Sequence, residues 1–313
     1  MSLIVLLSVC GRFVSTEDNV DISHSVFSGL LSSNEHGGAI NINRQNTFFK
    51  LAFSLFFGCK VASGYNGGAI FCECSKSGLV FMEKVCSSDC FTLGFNYGQF
   101  FHISLQGTNF SRLEYVSVTR CLYSPNRNYD TIRFINGNEE IKNTNSSKNT
   151  QLQGSGMLVW NGNTYYIGFC TVSNNTDDNY RTIYVFYGNN AIISNSNIIF
   201  NNPGLSSNGQ IICVESIPCT IEQCVFYHNT CKHLIAISST TVTVKDCTVD
   251  ILNSNNPVLL QTNNNIVSKP LIIPIIHFST IHCQAEKPLI HYTKVNKVPK
   301  SSPLLYFFTQ LVF

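Results

Sequence analysis

Acidic residues that could act as general acid, general base or nucleophile occur in three short groups. They are Asp177-Asp178 with Arg181, Glu139-Glu140 with Lys142, and Asp246 with Asp250. Hydrolysis or elimination on a saccharide needs clustered carboxylates, commonly with a basic residue nearby. Consecutive residues of a strand point to opposite faces, so a neighbouring acidic pair does not form a cleft. We therefore interpret these groups as turn residues and predict no catalytic residue and no enzyme activity.

Cysteine and histidine supply the donor types that zinc prefers, and a set of them lies between positions 213 and 233. The set is Cys213, Cys219, Cys224, His228, Cys231 and His233. Its spacing matches no compact zinc motif, since no close C-x-x-C pair is present. We predict neither a metal nor a cofactor, and stacked thiols and disulfides remain as alternatives. For Cys72-Glu73-Cys74 with Cys86 and Cys90 we expect one or two disulfides, as in an oxidising compartment.

Aromatic residues near the middle of the chain could form a binding platform for a sugar or a protein. Trp160, the single tryptophan, lies close to Tyr165 and Tyr166. Flat rings with a polar edge suit such binding, and core packing is the alternative. These residues follow the polar segment 136–156, which we interpret as an inserted, protruding loop. Because loops on a rigid scaffold commonly carry function, we expect this loop to be a contact element.

Two copies of Gly-Gly-Ala-Ile, thirty residues apart, indicate the scaffold that must position these groups. The copies are Gly37, Gly38, Ala39, Ile40 and Gly67, Gly68, Ala69, Ile70. A fixed period of this size is typical of a stacked-repeat architecture. Apolar and polar residues alternate within the repeats, and no stripe of helical period occurs. No unit can bury its own apolar face, so neighbouring units must stack.

A small or apolar residue ends a β-like string in each predicted coil. The strings end at Ser25, Phe56, Cys86, Cys121, Cys170, Ser196, Cys224, Cys247 and Ser279. Small side chains of successive coils would stack in one inward file, and the sharp Gly-Gly-Ala corner would leave no space for a large side chain. We therefore predict an all-β fold, a right-handed parallel β-helix (a pectin-lyase-like solenoid) of about nine coils with an irregular C-terminal cap.

The two ends of the chain differ from the repeats. Residues 1–19 contain an apolar run at 3–10 that suits a signal peptide or an N-terminal cap. Residues 20–285 hold the repeats with the inserted loop 136–156. Residues 286–313 end in an apolar segment of about half the length of a bilayer span. We interpret this part as a C-terminal cap or an incomplete membrane anchor.

The two Gly-Gly-Ala-Ile tetrapeptides resemble the repeat of the polymorphic outer-membrane-protein family. Phe226-Tyr227-His228-Asn229 is similar to the second motif of that family, F-x-x-N. The match is strongest over residues 20–100, and the later coils keep the rhythm without the tetrapeptide. Nothing resembles the C-terminal translocator barrel of the bacterial members. The resemblance implies a parallel β-helical surface protein of bacteria or protozoan parasites that is associated with adhesion.

Composition narrows the function further. The 313 residues are 44% hydrophobic and 12% charged, and a net charge of +2 without a basic cluster gives no reason to expect a nucleic-acid partner. We expect a non-enzymatic cell-surface or secreted protein that binds a host-cell protein or glycan through loops and a flat solenoid face. Membrane attachment stays an alternative to secretion. The other functional alternatives are a polysaccharide lyase or hydrolase on this scaffold, and a truncated structural family member.

Overall fold

The computed structural model describes residues 3–6, 11–15, 17–94, 96–121, 129–151, 154–178, 180–264, 266–267 and 272–275. These residues form a parallel β-solenoid, which confirms the predicted all-β class. Their one helical element is a short 3-10 turn, Pro257–Leu259. The described part of the chain contains no helix with the length and hydrophobicity of a membrane span.

The strands of the described residues are mostly short. The first part of the chain holds β1 (Leu3–Leu6), β2 (Phe13–Val14), β3 (Asn19–Ser23), β4 (Val26–Ser28), β5 (Leu31–Ser32), β6 (Ile40–Phe57), β7 (Lys60–Val61), β8 (Ile70–Ser88), β9 (Phe91–Thr92), β10 (Phe101–Ser104), β11 (Phe110–Glu114) and β12 (Ser117–Thr119). The middle part holds β13 (Ile132–Ile135), β14 (Asn138–Lys142), β15 (Asn145–Ser147), β16 (Thr150–Gln151), β17 (Met157–Trp160), β18 (Thr164–Gly168), β19 (Thr171–Ser173), β20 (Thr176–Asp177), β21 (Arg181–Phe186), β22 (Asn190–Ser194) and β23 (Asn197–Ile199). The last part holds β24 (Gln210–Glu215), β25 (Cys219–Glu222), β26 (Val225–Tyr227), β27 (His233–Ser238), β28 (Val242–Lys245), β29 (Thr248–Val249), β30 (Leu260–Asn263) and β31 (Ile266–Val267).

Three faces run along the solenoid, and each strand pairs in parallel with its counterpart in the next coil. The first face consists of β2, β10, β13, β17, β21, β24, β27 and the first parts of β6 and β8. The second face consists of β1, β3, β11, β14, β18, β22, β25, β28, β30 and the middle parts of β6 and β8. The third face consists of β4, β12, β15, β19, β23, β26, β29, β31 and the last parts of β6 and β8. Two small ladders, β5-β7-β9 and β16-β20, follow the third face.

The core is a continuous apolar column inside these faces. Register places Ile40, Ile70 and Phe101 directly above one another, and all three are fully buried. In a neighbouring column the rings of Phe27 and Phe56 stack with centroids 4.8 Å apart. Each such side chain stabilises the fold by about 1.5–3 kcal/mol, and it does so only because the next coil covers it.

A file of hydroxyl and thiol side chains, interrupted by two valines, lines the corner between the second and third faces. Its members are Ser25, Ser54, Val85, Val116, Thr144, Cys170, Ser196, Cys224 and Cys247. Ser196 Oγ donates to the carbonyl of Ser194 at 2.7 Å and accepts from the backbone N–H of Cys170 at 3.0 Å. The side chains therefore hydrogen-bond the corner as well as fitting the space. The predicted inward file exists, but its assignment to Phe56, Cys86 and Cys121 is wrong, because those residues lie outside it.

The residue before each of these corner positions has a left-handed backbone although it is not glycine. The angle φ is +51° at His24, +54° at Phe169 and +53° at Gln223. A conformation of this kind costs of order 1–3 kcal/mol. The hydroxyl or thiol that follows bridges the turn with a hydrogen bond, as Cys170 Sγ does to the carbonyl of Gly168 at 3.2 Å.

A second file, after the third face, changes from cysteine to asparagine along the solenoid. Its members are Leu30, Cys59, Cys90, Cys121, Asn149, Asn175, Asn201 and Asn229. Asn175 Oδ1 accepts from the backbone N–H of Asn149 at 3.0 Å, and Asn175 Nδ2 donates to the carbonyl of Ser146 at 2.9 Å. Asn201 and Asn229 make the same two bonds one and two coils further on. This asparagine ladder ties each corner to the one before it.

The ladder gives the F-x-x-N spacing a physical reason. Phe226 is fully buried, His228 has a φ of +52°, and Asn229 enters the ladder. The carbonyl that each ladder residue uses belongs to the residue three positions before the ladder in the preceding coil. In the cysteine part of the file, Cys59 Sγ donates to that same position, the carbonyl of Phe27, at 3.4 Å.

The Gly-Gly-Ala-Ile corner has the tight geometry that the sequence predicts. Gly67 has a φ of +73°, and a Cβ atom there would lie 2.2 Å from the carbonyl oxygen of Ile70. At Gly68 a Cβ atom would lie 2.1 Å from the carbonyl oxygen of Gln99 in the next coil. Both contacts are with backbone, so neither glycine tolerates a side chain without displacement of a neighbouring strand.

The segment 136–156 is not a protruding loop, and that prediction is wrong. It contains β14 and β15, which pair with coils on either side, and β16, which pairs with β20 of the next coil. Its polarity is misleading because Thr144 and Asn149 are fully buried members of the two files. The coil count therefore differs slightly from the prediction. One coil is added here, and the last predicted repeat, at 276–279, lies outside the described residues.

Most described cysteines are free thiols. They include Cys59, Cys72, Cys74, Cys90, Cys121, Cys170, Cys213, Cys219, Cys224 and Cys231. Cys86 is disulfide-bonded. Of the group for which one or two disulfides were expected, Cys86 therefore takes part in a disulfide, whereas Cys72, Cys74 and Cys90 are free thiols buried in the stacked interior.

The interpretations of the chain ends stay predictions. Residues 3–6 form β1, which pairs with β3, whereas residues 7–10 and 286–313 lie outside the described part. Towards the end of the described chain, Asn197 Nδ2 donates to the carbonyl of Ile273 at 2.8 Å. Asn197 Oδ1 accepts from the N–H of Ile273 at 2.9 Å, so this piece of chain lies against the third face.

Asn175→Ala tests the asparagine ladder. The substitution leaves one buried N–H and one buried carbonyl without a partner, and each costs about 1–3 kcal/mol. We expect the free energy of unfolding in urea to fall by about 2–6 kcal/mol, with Asn190→Ala as the control. Asn190 is exposed at the start of β22, so its loss changes stability by no more than about 0.5 kcal/mol. Equal stability of the two variants would contradict the role of the ladder.

Candidate binding groove on the first face

A groove with a volume of about 360 Å³ crosses the outward side of the first face. It is lined by Tyr97, Tyr129, Asp130, Arg133, Leu158, Trp160, Tyr180, Arg181, Tyr184 and Phe186. Strand pairing stacks Arg133, Leu158 and Tyr184 in one outward column and sets Trp160 beside Phe186 in the next. Residues far apart in the sequence therefore meet because consecutive coils share a register.

Aromatic rings form much of the wall of this groove. The rings of Trp160 and Phe186 lie 5.6 Å apart, and those of Tyr184 and Phe186 stack at 5.2 Å. Tyr97 and Tyr129 stack at 5.3 Å on the side of the earlier coils. Trp160 and Phe186 are only half-buried, so a ligand in the groove can reach them.

Two arginines lie among these rings, and they differ in burial and in whether they form an ion pair. Arg133 lies 3.7 Å from the centre of the Tyr97 ring, and its Nη1 donates to Asp130 Oδ2 at 2.7 Å. Its side chain is only 4% exposed. Arg181 lies 4.0 Å from the centre of the Tyr184 ring and is half-buried. No ion pair of Arg181 occurs among the described residues.

Asp130 and Asp177 lie on either side of Gly154 and Ser155. Burial raises the pKa of Asp130 to about 6, while the charge of Arg133 opposes that rise. Burial raises the pKa of Asp177 to about 7, and the hydrogen bonds from Ser155 oppose it. The backbone N–H and the hydroxyl of Ser155 each donate to Asp177 at 2.7 Å. Asp177 therefore holds a corner of the chain, and only Asp130 lines the groove.

The structure separates the acidic pairs that the sequence singled out. Asp177 is buried and Asp178 is exposed, as expected for adjacent residues. Glu139 points into the core, whereas Glu140 points outward and pairs with Lys142 and Arg112. The members of the third group also have separate roles. Asp246 is a corner residue with a φ of +53°, and Asp250 accepts a hydrogen bond from the backbone N–H of His228 at 2.6 Å.

The structure does not bring the three candidate aromatic residues together. Trp160 ends β17 on the first face and lines the groove. Tyr165 points into the core from β18, where its hydroxyl donates to the carbonyl of Tyr187 at 2.8 Å. Tyr166 points outward on the second face, with the Lys142 ammonium 5.2 Å from its ring centre. Trp160 thus lies on the first face, Tyr166 on the second face and Tyr165 in the interior, although the three are near one another in the sequence.

The sequence interpretation missed Asp130, Arg133, Tyr97 and Tyr129. Their signal is the register, because each lies at or just before a first-face strand. Tyr129, Asp130 and Arg133 belong to the coil next to that of Trp160, and Tyr97 to the coil before that one. Of the sequence candidates, Arg181 and Trp160 line the groove.

The thiol and imidazole residues between 213 and 233 are spread over different parts of the solenoid. Cys213 lies outward on the first face, Cys219 inward on the second, and Cys224 in the corner file. Within the ranges that the structure describes, no group of three or more His, Cys, Asp and Glu residues could hold a metal ion. The absence of a metal and of a cofactor stays a prediction.

The chain has no match among the known proteins compared with it: no family model, no curated protein and no solved structure matches.

Glu139 is a buried carboxyl group whose oxygens have no hydrogen-bond partner among the described residues. It is 3% exposed, and burial raises its pKa well above the usual value. The folded protein therefore keeps this proton at a pH where the unfolded chain has lost it. As pH rises above the pKa of the unfolded state, Glu139 lowers stability by about 1.4 kcal/mol per pH unit until the folded-state pKa is reached.

Glu139→Gln removes this titration, so we expect the fall in the free energy of unfolding between pH 5 and pH 8 to be smaller than in the wild type. Asp130 and Asp177 contribute a fall of the same sign and remain in both proteins. Glu140→Gln, one residue away but outward-facing, serves as control and keeps the wild-type slope. Urea unfolding at each pH gives the slopes, and a wild-type slope in Glu139→Gln would contradict the assignment.

Proposed function

We propose that this protein is a non-enzymatic cell-surface or secreted β-solenoid that binds a host-cell protein or glycan through the groove on the first face. The supporting observation is that half-buried Trp160 and Phe186 share one open groove with Arg181. Tryptophan, tyrosine and arginine carry much of the binding energy at recognition surfaces, and aromatic rings offer flat apolar area to a ligand. The contact surface is thus the groove rather than segment 136–156.

Membership of a polymorphic outer-membrane-protein-like family is part of this proposal. Its support is the pair of Gly-Gly-Ala-Ile corners and the F-x-x-N site of the ladder, which both have structural roles in a parallel solenoid. The surface location and the role in adhesion come from that resemblance. Attachment to a membrane belongs to the same proposal.

The alternative, a polysaccharide lyase or hydrolase, has one observation in its favour. Asp130 lines the groove, and its pKa of about 6 would suit acid–base chemistry near neutral pH. A glycosidase, however, needs two carboxyl groups that face one substrate. Asp177 directs both oxygens to Ser155 and Thr182, the latter at 3.0 Å, so it supplies no second group in the groove. Binding is therefore the better-supported function.

Trp160→Ala tests the groove as the contact surface. Purified protein would be coupled to fluorescent beads and applied to cultured host cells and to an oligosaccharide array. Removing the indole deletes the largest half-buried ring of the groove, so we expect attachment to weaken about tenfold or more, a loss of about 1.4 kcal/mol or more. Phe48→Ala, which removes an exposed ring on the second face, is the matched control and leaves attachment unchanged.

Failure of the wild-type beads to attach to any cell or saccharide would overturn the proposed function. Equal attachment of Trp160→Ala and the wild type would remove the groove as its site. Release of reducing ends or unsaturated sugars from a polysaccharide, lost in Asp130→Asn, would instead establish the enzymatic alternative.

A further inference from the structure

The groove has one positive charge that no ion pair neutralises, and Arg181 carries it. The lining contains two arginines and one aspartate, which leaves one formal positive charge at neutral pH. Arg133 donates to Asp130 at 2.7 Å and is almost completely buried, so its charge is locally neutralised. Arg181 forms no ion pair among the described residues, although its charge acts on Asp130 from a distance, and its side chain is accessible from the groove.

The other acidic groups near the groove do not cancel this charge by direct contact. Asp177 accepts hydrogen bonds from Ser155 and Thr182. Glu215, in the next coil, accepts from the Tyr184 hydroxyl at 2.8 Å. Its carboxylate thus holds the tyrosine ring on which the Arg181 guanidinium lies.

We infer that the groove takes an anionic saccharide, with Arg181 binding a carboxylate or sulfate group and with Trp160 and Phe186 packing against the sugar ring. The inference rests on the proposed function and names the ligand class of the same groove. A guanidinium presents its N–H groups in a planar fork that matches two oxygens of a carboxylate or sulfate.

The two tyrosine rings near Arg181 support this assignment. The ring centres of Tyr180 and Tyr184 lie 4.5 Å and 4.0 Å from the guanidinium carbon of Arg181. These contacts restrict the orientation of the guanidinium before a ligand binds. The partial burial of Arg181 near these rings also lowers the local dielectric, so an anion gains more than it would at a fully exposed arginine. Trp160 and Phe186 then supply the apolar surface that the less polar face of a sugar needs.

The test is titration calorimetry at pH 7.5 with three oligosaccharides of equal length: a uronate oligomer, a sulfated neutral oligomer and an unmodified neutral oligomer. We expect the wild type to bind at least one anionic oligomer about tenfold or more tightly than the neutral one. Arg181→Gln should bring the affinities for anionic and neutral oligomers within about twofold of each other. Arg181→Lys keeps the charge but lacks the planar guanidinium, so its preference for anionic oligomers should lie between that of the wild type and that of Arg181→Gln.

Arg112→Gln is the matched control, because Arg112 lies outward on the second face in ion pairs with Glu114 and Glu140. It should retain the wild-type preference, and thermal unfolding of each variant shows that it is folded. Equal affinity of the wild type for anionic and neutral oligomers, or an unchanged preference in Arg181→Gln, would overturn the inference and leave the proposed function standing. If no oligosaccharide binds, the inference is wrong, and attachment of the beads to host cells then decides the proposed function separately.

Discussion

The parallel, in-register pairing of successive coils is the constraint on which the rest of this structure depends. Within the faces, backbone hydrogen bonds between strands maintain this pairing. At the corners the chain leaves the sheet, so its backbone N–H and carbonyl groups lose their strand partners. Two files of side chains satisfy those groups: hydroxyls and thiols after the second face, and asparagines after the third. A buried N–H without a partner costs about 1–3 kcal/mol, so the files decide whether a corner can exist in the interior. The apolar column between the faces then follows, since each coil is covered by the next.

The same constraint produces the groove. A residue on the outward side of a strand has its nearest neighbours one coil before and one coil after, rather than along the chain. Arg133, Leu158 and Tyr184 therefore form one column, and Trp160 and Phe186 form the next. Asp130 forms an ion pair with Arg133, whereas Arg181 lies close to two tyrosine rings and its charge is available to a ligand. Recognition would then depend on a rigid surface whose side chains are held by a β-sheet, which costs little ordering when a ligand binds.

The architecture could be predicted from the sequence because its signals are repeated. The two Gly-Gly-Ala-Ile corners and the period-two alternation each indicate stacked strands. The register could not be predicted residue by residue, because chemically different side chains fill one file: Ser54, Val85 and Thr144 are equivalent in space. Non-glycine residues with left-handed backbone, such as Phe169, carry no turn signal in their identity. The polar residues at 136–156 predict a loop, because buried asparagine and threonine cannot be told from surface residues until their hydrogen-bond partners are known. The groove was missed for the same reason, since Asp130 and Arg133 meet Trp160 and Arg181 only once the register is fixed.

The register itself is open to a direct measurement, namely oxidative cross-linking of cysteine pairs introduced on the second face. Thr220 and Thr243 are register partners in adjacent coils, and Gln261 is the partner of Thr243 one coil further on. In-register stacking with strands about 4.8 Å apart predicts that Thr220→Cys with Thr243→Cys forms a disulfide readily, within the Cα separation such a bond requires. The pair Thr220→Cys with Gln261→Cys, two coils apart, should remain reduced under the same conditions, as read by peptide mass spectrometry. Equal cross-linking of both pairs, or none in the adjacent pair, would contradict the stacked register and with it the groove.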